Sequence, residues 1–395
     1  MTGAQRVLTS WAKAGGVLRV AGAPVRPVDG EDDPVERIAR TLDGPPLAAV
    51  FLFVSPEADA AAIAGRASAW FAPVPVIGCT TAGEISPEGY VEGQILAVGL
   101  PADLFAVETR LVPDLDDLSG DGLISDMIRA RQGLARARPD WDAEFAFVMV
   151  DGLSRREDEL TAALSAALGP VPLFGGSAGD GLRFGNTFVF HEGRALQKAA
   201  VIAFVRSRCR VKVFNLDHLV PTEQRMVVTG ADPARRIVHT INAEPAAFEY
   251  ARLLGKDPAQ LTTFTFAAHP VVVRFGGRHH VRSIQRMEAN GDLHFFSAIG
   301  EGLVLTLAEP LDMADHLARE LAALAEVEPP AAILACDCVL RRIEAQEKQA
   351  FGMISDLLRC HRVVGFSTYG EQLGAMHVNQ TMTGVAIYPP EAAAR

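Results

Sequence analysis

Three short turns carry most of the residues in this chain that could do chemistry: Gly78-Cys79-Thr80-Thr81-Ala82-Gly83-Glu84, Gly175-Gly176-Ser177-Ala178-Gly179-Asp180 and Gly365-Phe366-Ser367-Thr368-Tyr369-Gly370-Glu371. Each offers hydroxyls, glycine-rich backbone and a closing carboxylate. Such a set can hold a small amino-acid-like molecule, with the carboxylate on its ammonium group and turn N–H groups on its own carboxylate. The pocket candidates are Thr80, Glu84, Ser177, Asp180, Tyr369 and Glu371, joined by Asn379 and Gln380. The same glycines also serve a purely structural role, since they permit positive φ and close approach of backbones. No Lys-Ser/Thr pair follows the second turn, and G-x-G-x-x-G spacing is absent from it, so neither a P-loop nor a dinucleotide turn is read here. Cys79 or Ser177 as nucleophile, with His191 or His218 as base, makes a hydrolase the competing class. A nucleophile and its base must also meet in space, which spacing along the chain does not establish for these pairs. The expectation is a protein that binds rather than catalyses. Cys336-x-Cys338 is a redox or metal candidate, with Cys360-His361 as further zinc ligands. Two thiols on one strand face chelate poorly alone, so structural thiols are the expectation.

The turns recur because the elements before them recur. Val50–Val54 is a continuous apolar run, read as a buried strand; a helix to Phe71 and a second strand, Val74–Ile77, lead into the first turn. Phe145–Val150, a helix over Arg155–Leu168 and Val171–Phe174 lead into the second. Ala331–Ala335, a helix over Arg341–Leu358 and Val363-Val364 lead into the third. A strand–helix–strand crossover favours parallel pairing. Helix-free apolar runs after each turn, such as Gln94–Leu100, Ala199–Val205 and Gly384–Tyr388, add antiparallel strands. The expected fold class is α/β: mixed sheets with helices, repeated strand–helix–strand units ending in Gly-bounded Ser/Thr turns, and two domains.

A different stretch separates the second and third units. Asp232–Gly255 reads as a helical boundary, Val271–Val273 and His279–Ile284 as strands, and Ala289-Asn290-Gly291-Asp292 as a hairpin turn. The expected division is a loosely attached extension over 1–34, one domain over 35–235 and a second over 236–390.

The turn motifs, with Asn379-Gln380-Thr381 and the helical segment Ile237–Gly255, resemble the FIST N and FIST C domains over about residues 35–388. That resemblance implies a bacterial-type intracellular sensor in signal transduction, with a small-molecule or gas ligand. Cys336–Arg342 and Met376–Thr381 are similar to the nitric-oxide-sensing NosP branch, which implies haem b and a separate partner, a histidine kinase or a cyclic-di-GMP enzyme. No Cys-x-x-Cys-His is present, so any haem would be held without covalent attachment. An imidazole is the usual axial ligand in gas-binding haem proteins. His377 is the first candidate because it alternates with Asn379 and Thr381 on one strand face; His239, His269 and His294 are the reserves. Arg274, Arg278 and Arg282 are placed to meet propionates. The haem-free alternative is a sensor of an amino-acid-like molecule.

Composition sets the limits. At 395 residues the chain exceeds one ordinary core. A formal net charge of −11 with no basic cluster argues against nucleic acid. Five cysteines are too few and odd in number for a disulfide framework, and no stretch reaches the roughly 18 apolar residues of a membrane span. A cytoplasmic protein away from membranes is expected.

Overall fold

The computed structural model describes residues 16–26, 33–118, 121–275 and 277–390. The first unit runs β1 (Arg19–Pro24), α1 (Pro34–Leu42), β2 (Leu47–Val54), α2 (Ala60–Phe71), β3 (Val76–Thr80), a hairpin of β4 (Glu84–Ser86) and β5 (Gly89–Val91), and β6 (Gln94–Pro101). The second repeats the order as β7 (Phe105–Val112), α3 (Asp121–Ala137), β8 (Ala143–Val150), α4 (Glu157–Leu168), β9 (Leu173–Ser177), the hairpin β10 (Val189–His191) and β11 (Arg194–Leu196), and β12 (Ala200–Ser207). The third begins with β13 (Cys209–Leu216) and is then interrupted by an inserted module. That module contains β14 (Leu219–Asp232), β15 (Ile237–Ile241), β16 (Glu244–Pro245), α5 (Ala246–Leu254), α6 (Thr263–Ala268), β17 (Val271–Phe275), β18 (Arg278–Arg282), β19 (Ile284–Met287), β20 (Leu293–Phe295) and β21 (Val304–Pro310). The third unit resumes with α7 (Met313–Leu324), β22 (Ala332–Cys338), α8 (Val339–Glu347), α9 (Phe351–Cys360), β23 (Val363–Thr368), the hairpin β24 (Glu371–Leu373) and β25 (Met376–Val378), and β26 (Met382–Pro390).

In every unit the two crossover strands pair in parallel, β2 with β3, β8 with β9 and β22 with β23. Their other neighbours run antiparallel, so the three sheets are mixed. The unbroken apolar runs follow from burial on both faces. In β2, Phe51 and Phe53 point into a core shared by all three sheets, while Val50, Leu52 and Val54 meet the helices outside. β8 divides likewise: Phe145, Phe147 and Met149 face inward, and Ala146, Val148 and Val150 face α3 and α4. Aromatic rings bind the shared core across the units, with Phe53 4.7 Å from Phe366 and Phe51 5.2 Å from Phe147.

The hairpins are exchanged. β4–β5 of the first unit pairs with β23 of the third, β10–β11 of the second with β3 of the first, and β24–β25 of the third with β9 of the second. Each unit therefore completes the sheet of another, in a closed cycle.

The structure departs from several expectations. Arg19–Pro24, expected as part of a loose extension, is a buried strand paired along β6, because its apolar residues cover the edge that β6 would expose. The single helix expected over Arg341–Leu358 is two, interrupted where Gln349 takes a positive φ of 56°. Asn290-Gly291 lies in a longer loop, Glu288–Asp292, rather than a two-residue turn. Strand β25 stops at Val378, so Asn379 and Thr381 lie beyond it and do not share a strand face with His377.

Candidate ligand-binding site

The strands β3, β9 and β23 deliver the three turns to one end of the shared core, where backbone hydrogen bonds join them. Ala82 N donates to Ser367 O at 2.8 Å, and Ser367 N donates to Gly83 O at 2.7 Å. Gly179 N reaches Thr80 O at 3.0 Å, and Ser177 N reaches Gly370 O at 2.8 Å. One glycine per turn is needed for close approach: a Cβ on Gly78, Gly175 or Gly365 would lie 1.9, 2.0 or 1.8 Å from the carbonyl oxygen of Leu52, Val148 or Ala335. The repeated glycine thus has a steric cause at the same place in each unit.

The closing carboxylates hold the chain that follows them. Glu371 accepts from Thr381 N at 3.2 Å, Thr381 Oγ1 at 2.6 Å and Thr368 Oγ1 at 3.0 Å. Glu84 accepts from Thr81 Oγ1 at 2.5 Å and Gln94 N at 3.2 Å. Burial pushes Glu371 up to about 8 and Glu84 up to about 7. Asp180 accepts the backbone N–H of Phe184, Gly185 and Asn186, each at 2.8 Å, and the Tyr369 hydroxyl. Thr80 Oγ1 accepts from Phe188 N, and Ser177 Oγ accepts from Gln372 Nε2. Asn379 and Gln380 bond to Ser297 and Ser283 of the inserted module.

Beside these turns a cleft of about 260 Å³ opens between all three units. Its walls are the chain after β2 at Glu57, the first turn at Gly83 and Glu84, Glu92 at the end of the first hairpin, Asp180–Arg183 of the second unit, and the first turns of α8. Glu84 and Asp180 of the candidate set line it; Thr80, Ser177, Tyr369, Glu371, Asn379 and Gln380 do not.

The residue that stands out was not among the candidates. Arg342 of α8 is 3% exposed, and only its Nη2 is bonded, to Val91 O at 3.0 Å and Glu92 Oε1 at 3.1 Å. Its Nε and Nη1 are buried without a partner. The guanidinium lies over Tyr90 and Phe351, 4.8 and 5.2 Å from the ring centroids. It rests on Gly83, whose φ is +129° and where a Cβ would come within 2.7 Å of it. A buried guanidinium with unpaired donors in a cleft wall is chemically suited to an anionic group. One sequence signal pointed here: Arg341 and Arg342 sit in the first turn of a helix, where the helix dipole disfavours cations.

The histidines do not form a haem slot. His377 is 1% exposed, its ring packed so tightly that a Cβ on Gly370 would lie 2.3 Å from Cε1, and its Nδ1 is 3.2 Å from Gln372 Nε2. His239 is on the surface with Asp292, at 2.9 Å. His269 caps the end of α6. His294 is buried, with Nδ1 unpartnered and its pKa pushed down to about 4 by burial. None of the four lines the 260 Å³ cleft or two further cavities, of about 450 and 240 Å³. Arg282 donates to His377 O at 3.2 Å, Arg274 is exposed, and the side chain of Arg278 lies outside the described residues. As arranged, these groups do not fit haem.

The other constellations are not assembled either. Cys79 and Ser177 are fully buried, and neither His191 nor His218 is hydrogen-bonded to them; His218 is held by Glu344 and Arg341. Cys336 and Cys338 are buried, whereas Cys360 is exposed on α9, and no cluster of metal-ligating side chains occurs among the described residues. Burial raises the Cys79, Cys336 and Cys338 thiols well above their ordinary range, which suits inert core thiols. Among the described residues no helix is long and apolar enough to cross a membrane.

Comparison with known proteins returns two family models. The FIST N domain matches residues 48–244, and the FIST C domain matches residues 246–373. No curated protein matches the chain. The two models cover most of the chain, one after the other, and the chain belongs to the FIST family of signal-transduction sensors.

Proposed function

We propose that this protein senses a small zwitterion, an amino acid or a close analogue, bound in the cleft between the three units. The observation that carries this reading is Arg342, buried in the cleft wall with two donors unsatisfied. Leaving such donors unpaired costs on the order of 1–3 kcal/mol, which a ligand carboxylate would recover. The acidic groups around it, Glu57, Glu84, Glu92 and Asp180, outnumber Arg183 and Arg342 and disfavour a polyanion. Both oxygens of Glu84 and of Asp180 are already used within the protein; Glu92, bonded to Arg342 through Oε1, and Glu57, 3.6 Å from Arg26 through Oε2, each have a second oxygen to face a ligand ammonium. The cleft is smaller than the roughly 300–1,000 Å³ of pockets for drug-sized ligands.

Signalling requires that the ligand prefer one of two conformations. The recipient is a separate protein, a histidine kinase or a cyclic-di-GMP enzyme in the resemblance to the NosP branch. Calorimetric titration with each of the twenty common amino acids, on wild type and Arg342→Gln, tests the proposal. Saturable binding that the substitution weakens at least tenfold supports it. Binding indifferent to Arg342 moves the site elsewhere. A stoichiometric Soret band after haem reconstitution, with no amino acid bound, replaces it with the gas-sensor reading.

A further inference from the structure

We infer that the inserted module, β14 to β21, pivots on the three-unit body at His218, and that α8 links this pivot to the cleft; the link, though not the pivot, rests on the cleft being the ligand site. The chain passes between body and module twice, each time through two residues: Asp217-His218 between β13 and β14, and Leu311-Asp312 between β21 and α7. The two crossings lie side by side. Leu311 N donates to His218 O at 2.7 Å, and Leu219 pairs with Pro310. Paired short crossings are where a hinge would lie.

The side chain of His218 is fully buried and clasped by α8. Arg341 Nη1 is 2.9 Å from Nδ1, and Glu344 Oε2 is 2.9 Å from Nε2. A guanidinium only donates, so Nδ1 accepts and the ring proton sits on Nε2, directed at Glu344. Burial lowers the His218 pKa, consistent with a neutral ring. Arg341 is fixed in turn by Asp337 at 2.8 Å, and Glu344 by Lys348 at 2.7 Å. Arg341 and Arg342 are neighbours on one helix, about 100° apart around it. The first reaches the pivot and the second the cleft. Val339 and Leu340 of the same helix pack with Ala267 and Phe296 of the module. A shift of α8 on filling of the cleft therefore acts on the hinge and on the module surface together.

Away from the pivot the junction combines an apolar contact, Phe296 against Phe184 with ring centroids 6.0 Å apart and beside Tyr369, with polar pairs that are incompletely satisfied. Arg236 meets Glu157, Arg282 donates to His377 O at 3.2 Å, Ser283 donates to Gln380 at 3.1 Å, and Ser297 donates to Asn379 at 2.7 Å. Asn379 Nδ2 and Gln372 Oε1 are buried there without partners. Such groups lose little when water replaces their contacts, and the orphaned atoms gain. The pivot side, with both ring nitrogens of His218 bonded, has no such incentive to open.

Distance measurement between spin labels tests both halves. Cys360 is the exposed native cysteine, on the body, and Thr229→Cys places the second label on the exposed side of β14. The expected result is a minor long-distance population that rises severalfold in Arg236→Gln and, more mildly, in Ser283→Ala. Arg342→Gln is expected to shift the populations in the wild-type background and not in His218→Phe. A single narrow distance, unchanged in Ser283→Ala or in a cooperatively folded Arg236→Gln, overturns the pivot. No shift in Arg342→Gln, or an equal shift with and without His218→Phe, overturns the link. None of these outcomes uses a ligand, so failure of the amino-acid titration leaves them standing.

Discussion

Glu371 and Glu84 are buried carboxyls at equivalent turns, and their chemistry makes the fold sensitive to pH. Both are raised in the folded protein, to about 8 and about 7, chiefly by burial. The folded state therefore binds their protons more tightly than the unfolded state does. Their stabilising contribution is complete below the ordinary carboxylate range and is lost as pH rises through the folded values. Thermal melts between pH 5 and 9 are expected to show the melting temperature of the wild type falling with pH. Glu371→Gln, a mimic of the protonated form, should flatten that fall; an equally steep fall in the variant would show that the proton lies elsewhere. The turn sequence made Glu84, Asp180 and Glu371 visible as a set, yet it did not separate a carboxylate that holds a ligand from one that holds its own backbone. That distinction depends on Thr381 and Gln94, ten residues further along in each case, closing on Glu371 and Glu84. Arg342 escaped for the opposite reason: its pairing deficit exists only once Gly83, Tyr90 and Phe351 surround it.

The elements were the most legible level, since apolar runs and glycines are local signals. The strand–helix–strand unit was read three times and occurs three times, because two-sided burial leaves a continuous apolar run in β2, β8 and β22. The conserved geometry of Gly78, Gly175 and Gly365 makes a sharp expectation. A methyl group at any of them would meet a neighbouring carbonyl at 2.0 Å or less, so each Gly→Ala variant is expected to lose about 3 kcal/mol or more. Urea unfolding of the three single variants checks this; a neutral change at one position would mean that its strand pair can spread where the others cannot. Strand ends were less legible. The break between α8 and α9 depends on a single positive φ at Gln349, a residue with no special preference for it.

For the whole molecule the decisive feature is the exchange of hairpins. Each sheet takes its last two strands from another unit, so no unit is complete without the next. A fragment of residues 1–208 would leave β4–β5 without β23 and β9 without β24. It is expected to give a collapsed amide NMR spectrum alone and a dispersed one when residues 209–395 are supplied; a folded spectrum from the fragment alone would show that the exchange is dispensable. The sequence by itself determined the mixed α/β class, the three copies, their turns and the family, because these are written in periodicity and in glycine positions within about forty residues. Only the tertiary structure decided which unit each hairpin joins, which carboxylates are consumed internally, and that the open cleft lies against Arg342. Those outcomes depend on contacts between residues up to some two hundred and fifty positions apart, such as Arg342 with Val91 and Tyr90 with Asp337, and nothing in the local pattern encodes the pairing.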